Sequence, residues 1–441
     1  MKSNYKYLKF IQFQDLLLWD VKRQTENNVV FGVNVSKLGK YIVDQSSKYD
    51  ISTKGVKYKI LGVNNVEGIF DAYEEDGEKI NQKYKKMESG WLAYNPYRIN
   101  VGSIGIKRKE HKNEYISPAY VVFSCKEEIN SEFVYLLFRT QKYNEIIRQN
   151  TTGSVRQNLT FSNLSNMPLP LFDDFIMQSK LVDSYNKLIK KSEECTQKAE
   201  ELEKEIERYL LDELGIELNI ETENNKRLSF FRFSDISDRW DLLSIQNTIF
   251  DILNKSKYKT VEISKAYDFI SRKWDKNETS FKYIELGAID PLLGVTETKE
   301  IETKKAPSRA TQIVKTGDLI IGTTRPYLKK FAIVDEEYDG CTCSSGFQNI
   351  ISKNNNLRFL YEYLKTKAGI EQMNYYMTGA LYPAITSRDL KRILIPLPSI
   401  EKQNEIANHI LLLKKEIINL REEVEKNKAL AMTQFENEIF G

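Results

Sequence analysis

The chain repeats itself. Residues 58–175 can be laid over residues 283–400, so that Tyr58-x-x-Leu61-Gly62 meets Tyr283-x-x-Leu286-Gly287. Gly90-Trp-Leu-Ala-Tyr-Asn-Pro-Tyr-Arg98 then meets Gly317-Asp-Leu-Ile-Ile-Gly-Thr-Thr-Arg325 at an offset of 227. The register continues through Ile104/Phe331, Ile106/Ile333, Ser117/Ser344 and Tyr120/Phe347. It slips by one before Phe133-x-Tyr135 meets Phe359-x-Tyr361 and Thr152-Gly153 meets Thr378-Gly379. A self-match this long, with one small gap, requires two modules of the same fold in one chain. Both copies run into closely spaced prolines, Met167-Pro-Leu-Pro170 and Ile395-Pro-Leu-Pro398, where fixed φ angles force an extended segment.

Each copy ends in a predicted helix. Leu181, Tyr185, Leu188, Ser192, Cys195, Ala199, Leu202, Ile206 and Tyr209 fall at alternating intervals of four and three. Ile406, Ile410, Leu413, Ile417, Leu420, Val424, Asn427 and Ala431 keep the same rhythm. This is the a/d seam of a coiled coil, and the simplest partner for each seam is the other. With a globular copy before each helix, the pairing is expected to be antiparallel, holding the two modules at opposite ends of a rod. The seam from Leu181 to Tyr209 would span roughly 42 Å at about 1.5 Å per residue.

Ahead of the helices each copy reads as mixed α/β. Tyr120-Val-Val-Phe123, Asp318-Leu-Ile-Ile321 and Phe331-Ala-Ile-Val334 have strand composition, while Glu132–Gln149 and Leu357–Met373 have helical spacing. The expected layout is a first domain over 1–172, a coiled-coil helix over 173–215, a second domain over 216–398 and a second helix over 399–438. The two halves should be related by a pseudo-two-fold axis.

Composition narrows the function. The 441 residues suffice for several domains, and four cysteines are too few for a secreted disulfide framework. Met1–Phe10 has no apolar signal-peptide core, and no run approaches the roughly 20 apolar residues of a membrane span, so a cytoplasmic location is expected. The chain has neither a Gly-x-Gly-x-x-Gly nor a Gly-x4-Gly-Lys-Ser/Thr phosphate loop. His111 and His409 stand alone, Cys341-x-Cys343 has the wrong spacing for a zinc knuckle, and Cys125 and Cys195 lie in unlike contexts, so idle thiols and no metal are expected. Tyr94-Asn95-Pro96-Tyr97 lacks the second proline of the base-holding Asn-Pro-Pro-Tyr motif and reads as a turn. Glu110-His-Lys112 and Glu302-Thr-Lys304 are nuclease-like triplets that a 29% charged chain produces by composition.

Binding has better support. The overall net charge is only +3, but residues 304–330 hold Lys304, Lys305, Arg309, Lys315, Arg325, Lys329 and Lys330 against Asp318 alone, a net of +6. The matching stretch of the first copy carries Arg98, Lys107, Arg108, Lys109 and Lys112, while helix 175–214 is net −3. Lysine and arginine at loop tips neutralise phosphates and release counterions, and polar side chains beside them read base edges. The candidate DNA contacts are therefore Asn95, Arg98, Lys107, Arg108, Lys109, Arg156, Ser308, Arg309, Gln312, Thr323, Thr324, Arg325, Lys329 and Lys330.

Pro396-Leu-Pro398-Ser-Ile-Glu401-Lys-Gln403-Asn-Glu-Ile406, leading into a heptad helix, resembles the segment that joins a target-recognition domain to its conserved helix in specificity subunits of type I restriction-modification enzymes. Thr378-Gly379-Ala380, Ile385-Thr-x-x-x-Leu390 and Gly317-Asp318-Leu-Ile321 belong to the same pattern. In the first copy Asp173-Asp174-Phe175 stands where the Glu-x-Gln would be, with Gln178 as its substitute. The resemblance implies a non-catalytic scaffold that recognises a bipartite, asymmetric duplex target. It further implies docking of two adenine methyltransferase subunits and recruitment of motor-nuclease subunits. S-adenosylmethionine, ATP and Mg would belong to those partners, none of them to this chain. Two other readings stay open: a type II-like system with a fused methyltransferase-nuclease, and a structural or antirestriction adaptor that binds protein instead of DNA.

Overall fold

The computed structural model describes residues 29–152, 157–172, 174–218 and 249–441. The chain forms two compact units, Met1–Cys195 with Glu423–Gly441, and Thr196–Glu422.

In the first unit, strands β1 (Val35–Lys37), β2 (Ile42–Asp44), β3 (Lys48–Tyr49), β4 (Lys57–Val63), β5 (Ile69–Asp76), β6 (Tyr84–Lys86), β7 (Leu92–Tyr94), β8 (Ile104–Ile106), β9 (Tyr115–Ile116), β10 (Val121–Cys125) and β11 (Pro168–Pro170) make three sheets. One is antiparallel in the order β2-β10-β7-β8, and a second runs β3-β6-β9-β4-β5 with β4 and β9 parallel. The proline-bounded β11 pairs with β1 alone, the edge position in which a residue lacking an N–H is tolerated. Gly105 in β8 lies so near Gly68 and Ile69 that a Cβ would fall 2.2 Å from the Ile69 nitrogen, which closes β8 onto the second sheet. Helices α1 (Ser131–Arg139), α2 (Gln141–Asn150) and α3 (Phe161–Ser165) follow, and then the long α4 (Phe175–Leu214).

The second unit repeats this design. After α5 (Ile249–Asn254), β12 (Thr260–Glu262) and α6 (Ile263–Ala266) come β13 (Tyr267–Ile270), β14 (Ser280–Ile284), β15 (Ile289–Asp290), β16 (Gly294–Val295) and β17 (Lys299–Glu302). Next are β18 (Ala310–Ile313), β19 (Leu319–Gly322), β20 (Phe331–Ile333), β21 (Thr342–Ser344), β22 (Phe347–Ser352), α7 (Leu357–Lys365), α8 (Lys367–Tyr376), α9 (Ser387–Leu390), β23 (Leu394–Pro396) and α10 (Ile400–Phe440). Its sheets run β13-β22-β19-β20 and β17-β14-β21-β18, with β14 and β21 parallel, and β12 pairs with β23. Lys273 bridges Gln312 as Lys48 of β3 pairs with Lys85 of β6.

The same residues build the same caps. Asn130 and Asn356 accept from the second and third amides of α1 and α7, and Thr140 and Thr366 from the third amides of α2 and α8, each cap worth about 1 kcal/mol. Thr140 and Thr366 adopt extended backbone, so the helical spacings over 132–149 and 357–373 are each two helices broken at a threonine. Gly90 and Gly317 both turn at positive φ, +86° and +85°.

The register of the repeat is shifted at its two ends. Ile60 and Leu61 pair with Tyr115 and Ile116, as Tyr283 and Ile284 pair with Thr342 and Cys343. Tyr283 is thus the counterpart of Ile60, two residues on from Tyr58. Likewise Lys37 faces Pro168 as Glu262 faces Leu394, so Pro170 corresponds to Pro396 instead of Pro398.

Each unit takes a share of both long helices. In the first, Lys191 pairs with Glu423 at 2.5 Å and the Ser192 hydroxyl donates to the Leu188 carbonyl at 3.0 Å and to Val424 at 3.4 Å. In the second, Lys198 pairs with Glu416 at 2.6 Å and Lys402 with Glu213 at 2.8 Å. Rising numbers on one helix meet falling numbers on the other, so the strands of the coiled coil are antiparallel. Ile406, Ile410, Ile417, Val424 and Ala431 are buried, as are Ser192, Cys195 and Ala199. Leu181, Tyr185, Leu188, Leu202, Ile206, Tyr209, Leu413 and Leu420 are half-buried. The first unit's main core joins Phe133, Leu137, Tyr143 and Leu169 to Phe435, Ile439 and Phe440 of α10, and the second's joins Phe359, Tyr363 and Ile395 to Leu210, Leu214, Ile406 and Ile410.

Candidate nucleic-acid interface

In the second unit a cleft of about 430 Å³ opens where β13, β18 and β22 meet. Ser271, Lys273, Thr311, Gln312, Ser345, Phe347 and Gln348 line it, without one carboxylate. A bulge in the pairing of β18 with β21 inserts Thr311 between Ala310 and Gln312 and leaves it exposed, the usual way in which an extra residue re-aims a side chain. Ser345, Lys273 and Ser271 are exposed as well. A surface rich in hydroxyl, amide and ammonium groups and free of acid suits a polyanion whose base edges carry donors and acceptors. Lys273, Thr311, Ser345 and Gln348 were not singled out from the sequence; the bulge and the β13 edge that assemble them depend on distant pairing.

The sequence-derived candidates divide into exposed groups and groups whose polar atoms are spent inside the unit. Ser308 and Arg309 are exposed beside the cleft, where Arg309 O accepts from Ser345 N at 2.7 Å. Gln312 is buried and its amide donates to Phe347 O at 2.9 Å, so its pairing group does not face solvent. Thr323 donates its hydroxyl to Gly346 O at 2.9 Å, and Thr324 bridges Ala384. Lys330 donates to Ile289 O at 2.5 Å. Lys329 lines a different cavity, of about 300 Å³, beside Glu203, Glu207 and Asp290 as well as Lys365, Lys414 and Arg421. Arg325 has left-handed backbone, φ 49°, and lies over the Tyr382 ring at 5.1 Å. Asp318 is buried in a two-point ion pair with Arg272, which is why one acid inside the basic segment does not weaken its surface charge.

In the first unit Arg98 and Lys109 are exposed. Asn95 caps its own turn by accepting from Tyr97 N at 3.0 Å, as the turn reading expects. Lys107 is buried and donates to Met87 O at 2.9 Å, and burial lowers its ammonium pKa. Arg108 pairs with Glu132 at 3.1 Å in a hollow of mixed charge that Lys107, Lys109, Lys126, Glu110 and Glu127 also line. Arg156 lies outside the described residues. Lys107, Gln312, Thr323 and Lys330 are therefore corrected from nucleic-acid contacts to internal ties, because each already has an internal partner, whereas Arg108 stays exposed in its ion pair with Glu132.

Equivalent positions carry different chemistry. Lys85 stands where Gln312 stands and makes the equivalent bond, to Tyr120 O at 2.7 Å. Around that common tie, Ser345 is replaced by Pro118 and Gln348 by Val121, while Lys273 corresponds to Lys48. Both cysteines of Cys341-x-Cys343 are buried, and burial pushes the Cys343 thiol up to about 12 and the Cys125 thiol to about 11; such thiols are poor nucleophiles. His409 stacks on Tyr209 at 4.3 Å, and His111 Nδ1 accepts from Arg108 N. Among the described residues no group of three His, Cys, Asp or Glu converges on a metal position. Nor is any described helix long and apolar enough to cross a membrane.

Residues 242–427 match the family model of the type I restriction modification DNA specificity domain. The specificity subunit of the type I restriction enzyme MjaIX from Methanocaldococcus jannaschii is 32% identical over 97 residues, 22% of this chain and 22% of that protein. The match thus spans about a fifth of the relative's length. A chain solved in a study of complex assembly and conformational transition of the type I R-M system aligns with a TM-score of 0.57 at 14% identity, covering 93% of this chain and 99% of its own. The S subunit of a type I restriction-modification system from M. genitalium aligns at 14% identity with a TM-score of 0.47, over 95% and 98% of the two chains.

Proposed function

For a chain related to the type I specificity subunits, with residues 242–427 belonging to their family of DNA specificity domains, we propose a role as the non-catalytic DNA-recognition subunit of a restriction-modification enzyme. The observation that carries the reading is the duplication itself. Two units share sheet order, caps and buried ties, yet differ at the positions around the Gln312/Lys85 tie. Equal scaffolds with unequal surfaces read two unlike half-sites, so the duplex target is bipartite and asymmetric. The exposed set Arg98, Lys109, Lys273, Ser308, Arg309, Thr311 and Ser345 is the proposed contact surface. The paired helices would set the spacing between half-sites, and the duplicated scaffold would offer each of two adenine methyltransferase subunits a similar dock. Motor-nuclease subunits would join that assembly in the cytoplasm. S-adenosylmethionine, ATP and Mg are assigned to the partner subunits.

Methylome sequencing of cells that express this chain with methyltransferase partners tests the reading. Deleting one heptad from each of α4 and α10 is expected to change the gap between the methylated half-sites and leave both half-site sequences as they were. An unchanged gap removes the helices as a spacer, and a single continuous motif removes the two-reader model.

A further inference from the structure

The loop from Thr378 to Ala384 is closed by mutual backbone hydrogen bonds between its end residues, 3.0 and 2.8 Å, with Gly379 at φ +102°. Its tip presents two large side chains to solvent, Leu381 at 82% exposure and Tyr382 at 72%. Exposed apolar groups of this size on a tight hairpin are costly unless something covers them. The tip is held firmly. Arg325 N donates to Pro383 O at 2.7 Å, an Nη of Arg325 donates to Leu381 O at 3.2 Å, and the guanidinium lies over one face of the Tyr382 ring. The Nε of Arg325 is buried and finds no partner among the described residues, so this arginine is committed to the loop. It is better read as a brace than as a phosphate contact.

Hydrogen bonds tie the tip to the cleft. Ile385 N donates to Thr323 O, Thr323 N to Gly346 O, and Ser345 N to Arg309 O, all within 3.0 Å. The apolar tip and the acid-free, cationic cleft are thus parts of one connected set of loops. Charge complementarity selects a polyanion as the occupant, and the polyanion that also offers apolar faces is a nucleic acid.

We propose that Leu381 and Tyr382 form a wedge that enters a base step of the DNA duplex, unstacking it, with Tyr382 stacked on a base by the ring face that Arg325 leaves open. The proposal rests on the DNA-recognition reading and adds to it a site that deforms the duplex in place of reading hydrogen bonds. The sequence of the first copy has Val155 and Arg156 at the matching positions, so deformation of this kind is assigned to the second half-site.

The test uses the full-length chain and a duplex that the wild type enriches from a randomised pool, with 2-aminopurine placed stepwise across the second half-site. Unstacking is expected to raise the fluorescence at one step. Tyr382→Ser and Leu381→Ser should remove that rise and weaken binding roughly tenfold, the scale of one lost base–aromatic stack, without changing the slope of affinity against salt. Tyr382→Phe should behave as wild type. An undiminished fluorescence rise in Tyr382→Ser overturns the wedge, and so does intact duplex binding with lost association of a methyltransferase partner. If the wild type enriches no sequence, DNA recognition and the wedge both fail, an outcome distinct from enrichment without the Tyr382 effect.

Discussion

Gln178 and Gln403 show how much one side chain does in this fold. Each is buried on its long helix and accepts from the backbone N–H of the asparagine that caps an earlier helix of its unit, Asn130 of α1 and Asn356 of α7, both at 2.9 Å. The Gln403 amide also donates to Pro398 O and to Asn355. Gln403→Ala leaves these groups unpaired and is expected to cost about 1–3 kcal/mol, read as a lower urea midpoint; an unchanged midpoint would show that the bonds carry no net stability. Gln178 was legible as the substitute for the missing Glu-x-Gln, because its spacing to the helix is kept. Gln312 was not, since a glutamine among cations in sequence gives no sign that it is turned inward. Lys365 offers a pH signature. Burial, reinforced by Lys414 across the shared Tyr361 ring, brings its ammonium down to about 7, whereas an unfolded chain holds that proton to about 10.4. Between these values unfolding takes up a proton, so native stability rises with pH. Urea midpoints of wild type and Lys365→Met should therefore move apart in favour of the wild type between about pH 6.5 and 9, and a constant difference would rule out the depressed pKa.

Strands and helices explain why the repeat was readable and where it misled. Heptad spacing found both long helices, since a seam that must stay buried over many turns cannot hide its period. Both register errors are displacements of two residues, at Tyr58/Tyr283 and at the Pro-Leu-Pro segments. A strand moved by two keeps each side chain on the same face, so burial constrains the alternation and leaves the alignment free by pairs. Only the parallel partner of β4 or the antiparallel partner of β11 fixes it, and those partners are far away in sequence. The end of α10 makes a sharper case. Phe435 is 2% exposed and packs on Phe133 and Tyr185 with ring centroids 5.6 and 6.3 Å apart. Phe435→Ala is expected to destabilise the first unit by about 3–5 kcal/mol. Hydrogen exchange at amides of α1 and β10 measures this, and undisturbed protection there would contradict the packing.

At the scale of the whole molecule, the sequence carried the duplication but not the surface that distinguishes the copies, because a charge written in sequence does not say whether it meets solvent or a carbonyl. Arg309→Ala with Lys273→Ala is expected to weaken duplex binding and lower the slope of log affinity against log salt by about one unit per lost phosphate contact. Lys330→Ala should leave that slope alone, since its ammonium is bonded to Ile289 O. Equal slopes for all three proteins would take the acid-free cleft out of the interface. The first unit, finally, completes its core with Phe435, Ile439 and Phe440 and ties Gly32 N to Ile439 O at 2.8 Å. On the ribosome the half that is made first must therefore wait, with Phe133 and its neighbours uncovered, until the far end of α10 has been translated and has left the exit tunnel.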